Sequence, residues 1–123
     1  MDPSRIKAAR HELLGLHKAL IDAARVELER IDGRLNANEM LDRLLNDERL
    51  AWLRPLSELI VAFDELLESE TPIDPAPYVA RAVALLTYDA AAEADPFATA
   101  YARLLHEVPD VTMAHAATMR ALA

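Results

Sequence analysis

The residues best equipped for chemistry are the histidines His11, His17, His106 and His115, together with Asp64. At about 100° per residue of helix, His11 and His106 project from polar or mixed faces and read as surface imidazoles. His17 instead falls about 40° from the centre of an apolar stripe. His115 lies among Val111, Thr118, Met119 and Leu122 on another apolar face. A buried imidazole normally hydrogen-bonds a carboxylate or carbonyl. The functional alternative is that His17 and His115 converge on one pocket, with Asp64 as a third member. Lys18 and Arg54 could add an anion site, Arg54 being held beside Trp52 by the bend expected at Pro55. More often such an arginine packs its stem on the core and pairs with a surface acid.

Other chemistries lack their residues. Helical-bundle metal sites draw two ligands from one helix at Glu-x-x-His or His-x-x-x-His spacing. Neither spacing occurs, so neither metal nor other cofactor is expected. The chain has no cysteine, which excludes thiolate chemistry and disulfides. Ser4, Ser57 and Ser69 stand outside any Gly-x-Ser-x-Gly turn. Gly15 and Gly33 alone cannot build a phosphate loop. Asp64 and Glu65 are neighbours on a helix and point about 100° apart, so they make no acid–base pair. No motif names a reaction, and a non-enzymatic role is expected.

The elements that must position these residues read as helices. Apolar residues make up 53% of 123 and aromatics only 5%, with Leu and Ala dominant. That excludes disorder and points to an all-α chain, a compact bundle of five to six helices around a long N-terminal one. Residues 1–123 form one domain: Leu-rich over 1–70, a Pro-rich linker at 71–77, and an Ala-rich helical cover over 78–123. The cover holds too few large side chains to fold alone.

The first helix is predicted from Ser4 to Asp32, with Asp2 as cap, Pro3 in the first turn and Gly33 as a left-handed stop. Ile6, Leu13, Leu20, Ala24 and Ile31 share one meridian, flanked by Ala9 and Leu16 on one side and Leu14, Ile21 and Leu28 on the other. Ala8, Gly15, Ala19 and Val26 gather on the opposite side, where charges are expected. Either they are a second contact surface, or Gly15 marks a bend and the alanines are only helix formers. At about 43 Å the helix exceeds the roughly 35 Å diameter of a compact domain of this size. A homodimer with first helices crossing antiparallel along the small-residue stripe would resolve this.

Asn36 and Glu39 have capping-box spacing and open a short helix carrying Met40, Leu41, Leu44 and Leu45. Asp47 caps the segment that begins at Glu48. Pro55 then either separates a turn at Leu50–Leu53 or kinks one helix running to Glu68. Leu56, Leu59, Ile60, Phe63, Leu66 and Leu67 form its core stripe. Asp74-Pro75 and Asp95-Pro96 open helices near Pro75–Thr87 and Pro96–Glu107. Val108-Pro109-Asp110 precedes a last helix ending near Leu122.

Net charge is −8, which argues against nucleic acid and anionic lipid as partners. Charge is unevenly spread: residues 1–34 hold seven Lys/Arg against six Asp/Glu, while Glu58 to Asp74 holds six acids and no base. A solvated acidic face is the plain reading. A match to the basic start of the first helix, within one subunit or across a dimer, is the sharper one. No apolar run is long enough for a membrane span and no signal-peptide core opens the chain, so a cytoplasmic location is expected.

The runs Leu16-His17-Lys18-Ala19-Leu20, Leu44-Leu45-Asn46-Asp47, Ala51-Trp52-Leu53-Arg54-Pro55-Leu56-Ser57-Glu58-Leu59-Ile60 and Val108-Pro109-Asp110-Val111-Thr112-Met113-Ala114-His115-Ala116 resemble a family of small bacterial proteins of unknown function. The resemblance implies a stand-alone cytoplasmic protein and groups His17, Lys18, Trp52, Arg54 and His115. It transfers no reaction. The expected role is therefore contact, as a homodimer or with another protein. The alternative is binding of a small anionic ligand near His17, Arg54, Asp64 and His115, beneath Trp52.

Overall fold

A computed structural model describes residues 2–87 and 95–123. The described chain is all-α: α1 (Pro3–Asp32), α2 (Ala37–Asn46), a 3-10 turn (Glu48–Leu53), α3 (Arg54–Glu68), α4 (Ala76–Leu86), α5 (Pro96–Glu107) and α6 (Pro109–Leu122). No helix among the described residues is long and apolar enough to cross a membrane.

The caps act where the sequence places them. Asp2 accepts from the N–H groups of Ser4 (2.9 Å) and Arg5 (3.1 Å), two donors the first turn leaves without helical partners. Asn36 and Glu39 close the reciprocal box at the head of α2. Asp74, Asp95 and Asp47 each accept an N–H two residues on, heading α4, α5 and the 3-10 turn. Gly33 ends α1 at φ 84°, donating its N–H to the Glu29 carbonyl at 2.9 Å. Pro55 separates rather than kinks: the 3-10 turn stops at Leu53, and Pro55 falls in the first turn of α3, where its missing N–H is harmless.

α1 is buried along Ile6, Ala9, Leu13, Leu16, Leu20, Ala23, Ala24 and Leu28. α3 runs antiparallel along one flank. Arg10 pairs with Asp64 and His17 bonds Ser57, so seven residues forward on α1 match seven back on α3. The Arg10–Asp64 pair joins the acidic half of α3 to the basic start of α1 within one subunit. α6 runs antiparallel along the other flank, where Thr118 Oγ1 lies 3.2 Å from the Glu12 carbonyl and 2.8 Å from that of Ala114, and Arg5 reaches the Ala123 carbonyl. α4 packs on α3 and α6, and α5 on α6 and the 3-10 turn. Phe63, Phe97, Tyr101 and Leu104 fill the space between them.

The expected apolar faces need correction at their margins. Ile31 is 76% exposed and Leu14 38%. α3 begins at Arg54, roughly level with His17, so beyond it α1 meets the 3-10 turn and α5, and Ile31 borders an open cleft with Arg49, Leu50 and Leu104 rather than a packed core. On α2 only Met40 is buried, while Leu41 and Leu45 face outward. A ten-residue helix presents one face to the core; Leu41 lies off it and Leu45 only at its open edge.

The two glycines predict opposite responses. An added Cβ at either meets nothing within 4 Å, so only the backbone decides. Gly15→Ala, in regular helix, should raise unfolding free energy by about 0.5–1 kcal/mol. Gly33→Ala, at positive φ, should lower it by about 1 kcal/mol or more. Urea denaturation of both variants checks the pair.

Candidate functional site

Pro55 confines the α-helix to residues 54 onward, which sets Arg54 at the head of α3 and Ser57 one turn inside it. The antiparallel register then places Ser57 against His17. Their Oγ and Nε2 atoms are 3.0 Å apart, and both side chains are half-buried. His17, Arg54 and Ser57 line one cleft of about 260 Å³, whose other walls are Ile21, Leu44, Leu45, Leu50, Ala51 and Leu53. Burial holds the His17 imidazole below its usual range, so it is neutral near pH 7. Arg54 has no carboxylate partner among the described residues.

The remaining candidates lie elsewhere. Asp64 is taken up by Arg10. Lys18 is exposed and tied to Asp22 at 3.0 Å. Trp52 meets Phe97 at 6.2 Å between ring centres, Phe97 stacks on Tyr101 at 5.2 Å, and Tyr101 meets His115 at 5.6 Å. Trp52 and His115 are thus the ends of one aromatic column through α5. The Tyr101 hydroxyl and His115 Nδ1 share a hydrogen bond of 2.6 Å. Burial pushes the phenol up and the imidazole down, so both are neutral near pH 7. His17 and His115 therefore have separate partners on separate elements, and the single pocket uniting them with Asp64 beneath Trp52 is not formed. His11 and His106 are exposed, as their faces suggest. Among the described residues no group of three or more His, Asp or Glu side chains could hold a metal ion.

On α1, Ala8, Gly15 and Val26 are exposed, while Ala19 is half-buried against the core. The small-residue stripe is therefore open except at Ala19.

Sequence reasoning passed over Ser57 and Tyr101. The available signal was positional: Ser57 follows Leu56 at the margin of the α3 stripe, and Tyr101 lies four residues after Phe97 on α5. It also missed a charge cluster. Arg49 bonds Asp32 at 2.6 Å and Asp47 at 2.7 Å, and Arg43 pairs with Asp32 and, at 3.4 Å, Asp47. The Arg49 guanidinium, with Arg43, keeps both carboxyls well below the ordinary carboxylate range. This cluster ties the end of α1 to α2 and the 3-10 turn, the far wall of the cleft.

No protein-family model, curated protein or solved structure matches the chain.

The depressed histidines imply a pH response. The unfolded chain takes up protons at the ordinary value of 6.5, whereas His17 and His115 resist them when folded. Stability should hold above that pH and fall as pH drops through and below it. His17→Gln and His115→Gln should each flatten the decline in melting temperature between about pH 7.5 and 5, as followed by circular dichroism. A decline unchanged in both variants would contradict the assignment.

Proposed function

We propose that the protein binds a small amphipathic carboxylate in the cleft between α1, α2 and the start of α3. The supporting observation is that a guanidinium without a carboxylate partner among the described residues and a half-buried imidazole open onto walls that, Ser57 apart, are aliphatic. Ligand sites have this composition, mostly apolar with a few polar groups that fix orientation. At about 260 Å³ the cleft is smaller than most drug-sized pockets, which suits a short acyl chain. Each buried methylene contributes about 0.8 kcal/mol. An exposed ion pair contributes about 1 kcal/mol at most. Chain length therefore sets affinity, and Arg54 sets orientation.

Titration of the protein with butyrate, pentanoate and hexanoate, followed by amide chemical shifts, checks this. Affinity should rise about fourfold per methylene until the cleft is full. Arg54→Gln should weaken each by about fivefold or less. Shifts that ignore chain length, or that centre outside the cleft, would remove this reading.

A homodimer is the second reading. It is supported by the open stripe of Ala8, Gly15 and Val26 on α1, and Leu41, Leu45 and Val61 are exposed elsewhere on the surface. Light scattering at micromolar concentration should give twice the chain mass, and Gly15→Glu should return the monomer while leaving the helices intact. A wild-type monomer would end this second reading.

A further inference from the structure

Within the cleft, the hydroxyl of Ser57 has two possible acceptors. The Leu53 carbonyl, one turn back on α3, lies at 3.4 Å, and His17 Nε2 at 3.0 Å. Hydroxyl-to-oxygen bonds normally span about 2.5–3.0 Å. The back-bond is loose, and the proton is better directed at the imidazole. No buried side-chain nitrogen or oxygen among the described residues lacks a hydrogen-bond partner. The His17 Nδ1 atom, which has no protein partner among those residues, therefore retains access to water, where it can carry its proton. That tautomer leaves the Nε2 lone pair facing Ser57. A serine hydroxyl donating to a neutral imidazole is the minimal arrangement of an activated nucleophile. Arg54, three residues before Ser57, borders the same cleft.

We propose that Ser57 is a nucleophile and His17 its general base, acting on esters of short aliphatic acids seated in this cleft. The inference rests on the ligand reading above, because the acid released is the carboxylate the cleft holds. As Ser57 Oγ bonds to the acyl carbon, its proton passes to His17 Nε2. The tetrahedral oxyanion forms on the side open to Arg54, whose charge opposes it. Its collapse breaks the bond to the alcohol, which leaves with the proton from His17. Water then attacks the acyl-serine, giving its proton to Nε2. The second collapse returns that proton to Ser57 Oγ and releases the acid. No carboxylate among the described residues orients His17 from behind, so turnover should be slow beside that of a full triad, in which altering the orienting aspartate costs about 10⁴-fold.

The test uses the full chain and an alkyl fluorophosphonate, whose phosphorus Ser57 attacks with release of fluoride. Intact mass and peptide mapping should show one adduct, on Ser57. Ser57→Ala should abolish it, and His17→Gln should slow its formation at least about 100-fold with helicity retained. p-Nitrophenyl butyrate hydrolysis should fall in parallel. A wild-type protein without adduct, an adduct on another residue, or a His17→Gln variant that labels at the wild-type rate would overturn the proposal. Should His17→Gln fail to fold, Ser57→Ala carries the test, since it removes a single oxygen. Hexanoate binding, measured on the same preparation, separates the two ideas. Binding without an adduct ends the nucleophile and spares the ligand site. An adduct without binding does the reverse.

Discussion

α1 has more apolar circumference than one neighbour can cover. Its buried residues run from Ile6 to Leu28, and α3 and α6 each take one flank in antiparallel register. Full burial of a leucine is worth about 1.5–3 kcal/mol, and Leu13, Leu16 and Leu20 are all fully buried here. Exposed ion pairs contribute far less. Packing on α1 therefore supplies the larger share of stability, and the Arg10–Asp64 and His17–Ser57 contacts fix where along α1 the third helix stops. Sliding α3 by one turn would break both polar contacts and misalign Leu56, Leu59 and Phe63.

That register also makes the cleft. Beyond His17, α3 has not yet begun, and the chain must cross from α1 through α2 and the 3-10 turn before it returns. The gap is walled by side chains of that crossing, Leu44, Leu45, Leu50 and Leu53. Asp32, Arg43, Asp47 and Arg49 hold the crossing at its base. At the start of the same connection, Leu35 is pinned by its N–H donating to the Glu29 carboxylate at 2.7 Å. Polar contacts thus act where aliphatic packing is thinnest.

Local signals were readable from the residues alone. Asp2-Pro3, Asp74-Pro75 and Asp95-Pro96 announce helix starts because a cap needs only its own next turn. The stripe on α3 was readable at Leu56, Leu59, Ile60 and Phe63 because a 3.6-residue period is a local property. The site was only half readable. The apolar environment of His17 is set by its own helix, but its partner is not. Ser57 lies 40 residues away, and which residue faces which depends on the relative slide of α1 and α3. His115 shows the same limit, since its stripe is correct but its neighbour is Tyr101 rather than His17. Ile31 marks another, because periodicity describes a helix of any length and says nothing of where its neighbours end.

The α1–α6 seam has a consequence for synthesis. Glu12 lies against Thr118, which the ribosome adds 106 residues later. At about 5–20 residues per second, one side of the α1 stripe waits on the order of 5–20 seconds for its cover. During that interval Leu13, Leu16 and Leu20 are open to whatever else is nearby. Translation pauses downstream of α3 would lengthen that exposure.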